Sequence, residues 1–202
     1  MDRSVLMLDV DGVLVGGRPQ DGLGQFTDLE TDLGLSPELL RKRFFDTYWV
    51  DVVTGKRPLL ETLAPVLADI APGLPPQTLV DYWLANDSRL DRTLLADLPA
   101  VRQAGMRIFL CTNQEHLRAR YLMEDLGLSP SVDGIVYSAA LGVRKPEPDF
   151  YWRAATQVGA RPRDIVFIDD NAYNVTAARK AGWAATQWGP GMTLVGALGA
   201  AR

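Results

Sequence analysis

Asp9 and Asp11 bracket a single residue, Asp169 and Asp170 are adjacent, and Thr112, Asn113 and Lys145 lie between the two pairs. Each group follows a short apolar run, and open parallel α/β sheets gather ligands outside the carboxyl ends of such strands. Four carboxylates and one ammonium in one crevice repel each other unless a cation organises them. Oxygen-only ligands favour a hard ion such as Mg2+. Magnesium bound by few protein carboxylates keeps waters and phosphate oxygens, so these residue types point to phosphoryl chemistry.

The elements that must position these groups are legible as runs of one period or another. SVLMLDVDG, RIFLCTN, GIVYS and DIVFIDDN read as strands buried on both faces, and WAATQW is a fifth candidate. Helical periodicity fills the gaps in LLADLPAVRQAG, EHLRARYLMEDLG, PDFYWRAATQVG and NVTAARKAG. These helices end at Gly105, Gly127, Gly159 and Gly182, where left-handed caps belong. Strands alternating with helices predict an α/β fold with a doubly wound parallel sheet. Between Val15 and Asp91 the alternation stops, and SPELLRKRFFDTYW, PLLETLAPVLADI and PPQTLVDYWLAN are all helical in pattern. The expected organisation is a core of residues 1–14 and 92–202 with a small helical cap, 15–91, inserted after the first strand.

In order and spacing, DVDGV, CTN, RKPEPDFY and IDDNAYNV resemble the four motifs of the haloacid dehalogenase superfamily, over nearly the whole chain. The likeness is to its phosphatases with a small helical cap after the first motif, and RKPE and DDNAYNV look most like the sugar-phosphate phosphatases. The resemblance implies a Rossmann-like fold and makes Asp9 the nucleophile that forms an acyl phosphate. It makes Asp11 the acid towards the leaving alcohol and then the base for the hydrolytic water. Thr112, with a backbone N–H near Asn113, would bind a phosphoryl oxygen, and Lys145 would neutralise charge shared by the phosphate and Asp9. Magnesium would be held by Asp9, the carbonyl of Asp11 and Asp170, with Asp169 either a further ligand or an orienting neighbour. One departure is Asn174, which stands where many relatives carry another acid. An amide there is placed to orient a metal-bound water or to brace Lys145.

The remaining residues invite plainer readings. His116 alone cannot build a zinc site and reads as a polar residue in a first helical turn. Cys111 reads as a buried filler, and Trp49, Trp83, Trp152, Trp183 and Trp188 read mostly as core. Lys56 and Arg57, in the VDVVTGKRP turn of the cap, are candidates to descend over the site and contact the leaving group, beside the plain reading of a solvated basic turn.

A net charge of −4 over 202 residues lacks the positive field that nucleic acid requires. No apolar run is long enough for a membrane span, and one cysteine cannot form an internal disulfide. The expectation is a cytoplasmic monomer or homodimer acting on a small phosphorylated metabolite. Three rivals remain: a dehalogenase, disfavoured by Asp11; a phosphomutase of the β-phosphoglucomutase type; and a non-catalytic regulator that binds a phosphometabolite.

Overall fold

The computed structural model describes residues 4–201. Strand β1 (Val5–Leu8) leads into helices α1 (Leu29–Leu33), α2 (Pro37–Leu40), a π-helical turn at Arg41–Phe45, α3 (Asp46–Val53), α4 (Leu59–Ile70) and α5 (Pro76–Asn86). The chain continues through α6 (Arg92–Gln103), β2 (Arg107–Thr112), α7 (His116–Met123), β3 (Gly134–Tyr137), α8 (Ser138–Leu141) and α9 (Pro148–Gln157). It ends with β4 (Ile165–Asp169), α10 (Ala172–Lys180), β5 (Ala184–Gln187) and α11 (Leu194–Ala200).

All four strand pairs are parallel, and the order is β3-β2-β1-β4-β5. The period of two explains why the strands are apolar throughout. Leu6 and Leu8 point into a layer built from α6, α7 and α11, whereas Val5 and Met7 pack against α9 and α10. The order reverses between β1 and β4, and at such a switch point the loops diverge to opposite faces and leave a crevice. Asp9 follows β1 and Asp169 closes β4, so the crevice lies between the two aspartate pairs.

Three of the expected glycine caps are present as left-handed residues, with φ of 87°, 62° and 86° at Gly105, Gly159 and Gly182. Gly127 is left-handed too (φ 76°), but α7 stops at Met123, so this glycine lies in the turn beyond the helix and does not cap it. The stretch SPELLRKRFFDTYW is helical but not uniform, because the π-helical turn separates α2 from α3. A π turn takes in an extra residue and re-aims the side chains that follow. Phe44 is buried in the core of the helical insertion, while Phe45 looks into a cleft described below.

The insertion has its own apolar centre, including Leu29, Leu40, Phe44, Leu63, Leu67 and Leu79, and reaches the sheet domain through Leu117 of α7. Its two connecting segments are zipped together: Asp91 N–H donates to Leu14 O (2.9 Å), Gly16 N–H to Arg89 O (2.9 Å) and Arg89 N–H to Gly17 O (3.1 Å). At the end of α3, Val53 O accepts from the Ser138 hydroxyl at 2.5 Å. A Cβ on Gly55, whose φ is 72°, would meet the Ala139 carbonyl, so that close approach needs glycine. Among the described residues no helix is long and apolar enough to cross a membrane.

One expectation about large side chains needs revision. Trp152 is 70% exposed, because α9 turns Phe150, Tyr151, Ala154 and Ala155 inward and leaves Trp152 on the opposite face. Trp183 is buried as expected, edge-on to Tyr151 and Phe167.

Candidate active site

The Lys145 ammonium lies between two carboxylates, 2.8 Å from Asp9 Oδ1 and 2.6 Å from Asp169 Oδ2, and donates to Cys111 O at 2.9 Å. Its main chain is held by the Asn113 side chain, which donates to Lys145 O (2.9 Å) and accepts from Lys145 N–H (2.8 Å). The strand ends are thus tied together by side chains as well as by the sheet ladder. Asp169 is fully buried and accepts from Asn171 N–H (2.8 Å) and from the Asn174 amide at both oxygens (3.1 and 3.0 Å). Asn174 therefore braces Asp169, and Lys145 only through it.

Carboxylate oxygens of Asp9, Asp169 and Asp170 all lie within 4.8 Å of one another. Burial pushes Asp9 up to about 8, with Lys145 opposing and Asp169 reinforcing the shift. Asp170 is also raised, first by burial and then by the charge of Asp169. Burial alone would lower the Lys145 ammonium, but Asp9 and Asp169 more than offset this and hold it above its ordinary range. One ammonium does not balance three acids, and a hard divalent cation supplies the missing charge. The donor set fits magnesium. Gly12 makes room for the Asp170 carboxylate: its φ is 78°, and a Cβ there would fall 2.3 Å from Asp170 Oδ2.

Asp11 has an environment of its own. Its carboxylate is about 50% exposed, accepts from Gln114 Nε2 at 2.5 Å, and lies 3.4 Å from Arg118 Nη2. The same Nη2 reaches Asp87 Oδ2, just after α5, at 3.0 Å. Arg118 is almost wholly buried, so this guanidinium joins the helical insertion to Asp11. Arg118 lies in the first turn of α7, whereas Gln114 stands before the N-cap Glu115, so helical periodicity does not pair them and their meeting at Asp11 follows from how the chain passes from β2 into α7. Asp87 carries no local signal either, because its partner is distant in the chain.

Asp87 is pushed up to about 6 by burial, with Arg118 pulling it down and Asp11 pushing it up. A carboxyl raised in the folded state favours folding below its unfolded value, near 3.8, and that contribution is lost as pH rises through about 6. Relative to Asp87→Asn, the wild type is therefore expected to lose on the order of 2 to 3 kcal/mol between pH 4 and 7. Denaturant melts of both proteins across that range measure it; a pH-independent difference would remove Asp87 as the source.

Asp11, Asn113 and Gln114 open onto a cleft of about 400 Å3 whose far wall includes Phe45, Trp49 and Trp83. Thr112 is buried at the end of β2, with its hydroxyl 3.5 Å from Gln114 Nε2. Lys56 and Arg57 are not brought to this cleft. Both are exposed and turned to Asp51, at 3.9 and 3.4 Å, and Arg57 also lies over the Tyr48 ring. An acid five and six residues earlier captures them, which corrects the expectation that they descend over the carboxylates. His116 opens α7 with Nδ1 3.2 Å from the Tyr137 hydroxyl, and burial pushes the Cys111 thiol up, leaving it inert.

The family model described as haloacid dehalogenase-like hydrolase matches residues 4–182. The chain belongs to that family of hydrolases, and its parallel sheet with helices on both faces is the family's Rossmann-like fold. Among curated relatives it is 27% identical to a phosphoglycolate phosphatase of Caulobacter vibrioides, over 90% of this chain and 77% of that one. It is 28% identical to a phosphatase of Mycobacterium tuberculosis, over 90% and 85%. Among solved structures, a HAD family enzyme of Bacteroides thetaiotaomicron in complex with magnesium and inorganic phosphate superposes with a TM-score of 0.79. That match has 15% identity and covers 95% of this chain and 96% of the other. The L-2-haloacid dehalogenase of Xanthobacter autotrophicus gives 0.63 at 20% identity, over 97% and 80%.

Proposed function

We propose that the protein is a magnesium-dependent phosphatase that hydrolyses small phosphate monoesters, sugar phosphates foremost, through a phospho-aspartate on Asp9. The observation that carries this reading is the clustering of Asp9, Asp169 and Asp170, the first two of them ion-paired with Lys145. Similarity to two phosphatases and to a fold solved with magnesium and phosphate supports it.

Asp9, Asp170 and the carbonyl of Asp11 would hold magnesium, with Asp169 kept by Lys145 and Asn174 in a bracing role. Bound there, the ion would offset charge on the phosphoryl oxygens. A carboxylate oxygen of Asp9 attacks phosphorus while the bond to the leaving oxygen breaks and Asp11 donates a proton to that oxygen. Asp11, now a carboxylate, removes a proton from water as the water attacks phosphorus; the Asp9 acyl-phosphate bond breaks and inorganic phosphate departs. Lys145 and Thr112 oppose the charge on the transferring group. Residues 15–91, as the cap, would exclude bulk water during the first step and admit one molecule for the second.

The direct test is magnesium-dependent phosphate release from p-nitrophenyl phosphate, abolished by a chelator and restored by magnesium. Equal release with and without the ion would contradict the reading. Asn174→Ala is expected to lower kcat about tenfold by loosening Asp169, with little change in KM. Asn174→Asp sets a further acid against buried Asp169, so its metal-free melting temperature falls and magnesium restores more of it than in the wild type. A thermal melt with and without the ion checks this.

A further inference from the structure

Building on the phosphatase reading, we infer that the alcohol released is uncharged and polyhydroxylated, a sugar ring, and that esters whose leaving group carries its own anion are poor substrates. Among the described residues, the cleft beside Asp11 has no lysine, arginine or histidine in its lining. Its charged members are both acids, Asp11 and Asp87.

The cations nearby are committed elsewhere. Lys145 is buried between Asp9 and Asp169, and Arg118 is buried against Asp87 and Asp11. Lys56 and Arg57 are turned to Asp51. A wider groove of about 710 Å3 across the connecting segments does hold Arg89 and Arg92, but Asp11 does not line it. A carboxylate on the leaving group would therefore find no free cation to pair with, because Arg118 is already shared between Asp11 and Asp87. At a few ångströms and an effective dielectric near 20, a missing ion pair corresponds to roughly tenfold to a hundredfold in kcat/KM.

The remaining wall suits a sugar. Trp49 lies 5.3 Å from Phe45 and 5.5 Å from Trp83, centroid to centroid, forming an apolar surface for the C–H face of a ring. Opposite it, Gln25, Gln114 and Asp87 offer amide and carboxylate partners for hydroxyls.

The experiment compares kcat/KM, with magnesium, for hexose and pentose monophosphates, farnesyl phosphate, phosphoglycolate and 3-phosphoglycerate, with p-nitrophenyl phosphate as reference. The best sugar monophosphate is expected to exceed both carboxylate esters by about tenfold or more. Gln25→Lys, which adds a cation at a half-buried turn lining the cleft, is expected to shift the phosphoglycolate-to-sugar ratio about tenfold towards phosphoglycolate. Phosphoglycolate matching or surpassing every sugar ester in the wild type would overturn the inference, as would farnesyl phosphate surpassing them or an unmoved ratio in Gln25→Lys. Release from none of the substrates, the reference included, would instead overturn the phosphatase reading itself.

Discussion

Replacing Asp9 with Asn is expected to lower kcat by roughly four orders of magnitude or more on every phosphate ester, while the protein stays folded. The chemical loss follows from the amide, which is too poor a nucleophile towards phosphorus to form the covalent intermediate. The structural tolerance follows from the surroundings. Asn keeps an oxygen for the Val10 N–H, now 2.8 Å from Asp9 Oδ1, and for the Lys145 ammonium. Lys145 keeps Asp169, so no charge is left buried alone. Burial pushes the Asp9 carboxyl up to about 8, so neutralising it removes an unfavourable charge in the metal-free protein. A thermal melt at or above the wild-type midpoint, together with absent turnover, is the expected pair of results.

Asp11→Asn has the second largest expected effect, and its size depends on the leaving group. An alkoxide leaving a sugar needs a proton in the transition state, so removing the acid is expected to cost about a thousandfold on sugar phosphates. p-Nitrophenolate leaves without that help. Phosphorylation of Asp9 then stays fast, the water attack loses its base, and the steady state falls about a hundredfold or more behind a burst of one nitrophenolate per protein. Geometry supports a clean variant, because Gln114 and Arg118 meet different oxygens of Asp11 and an amide oxygen still satisfies one of them. Stopped-flow absorbance resolves the burst, and a uniform loss across leaving groups would deny Asp11 the acid role.

Much of this site could be read before any fold was known. The runs ending at Asp9, Thr112 and Asp169 are apolar because both faces of the sheet are covered, and a covered parallel sheet delivers its polar ends to one crevice. What escaped the sequence depends on contacts between distant segments. Asp87 and Arg118 meet only once the helical insertion lies against α7, and no local periodicity encodes that meeting. Lys56 and Arg57 look like free cations in the chain, yet Asp51 on the preceding helical turn takes both. Trp152 reads as core because it is large, whereas its place on α9 is decided by the phase of its neighbours. Asn174 shows a subtler limit: its position marks it as a departure, but its two bonds to Asp169 follow from where α10 starts.

The covalent role of Asp9 is tested most directly in the Asp11→Asn protein, mixed with magnesium and p-nitrophenyl phosphate, quenched after the burst and mapped by peptide mass spectrometry. The mechanism predicts one phosphoryl group on the peptide carrying Asp9, and borohydride reduction converting that residue to homoserine. A phosphoryl group on any other residue, or a stoichiometric burst with Asp9 unmodified, would contradict it.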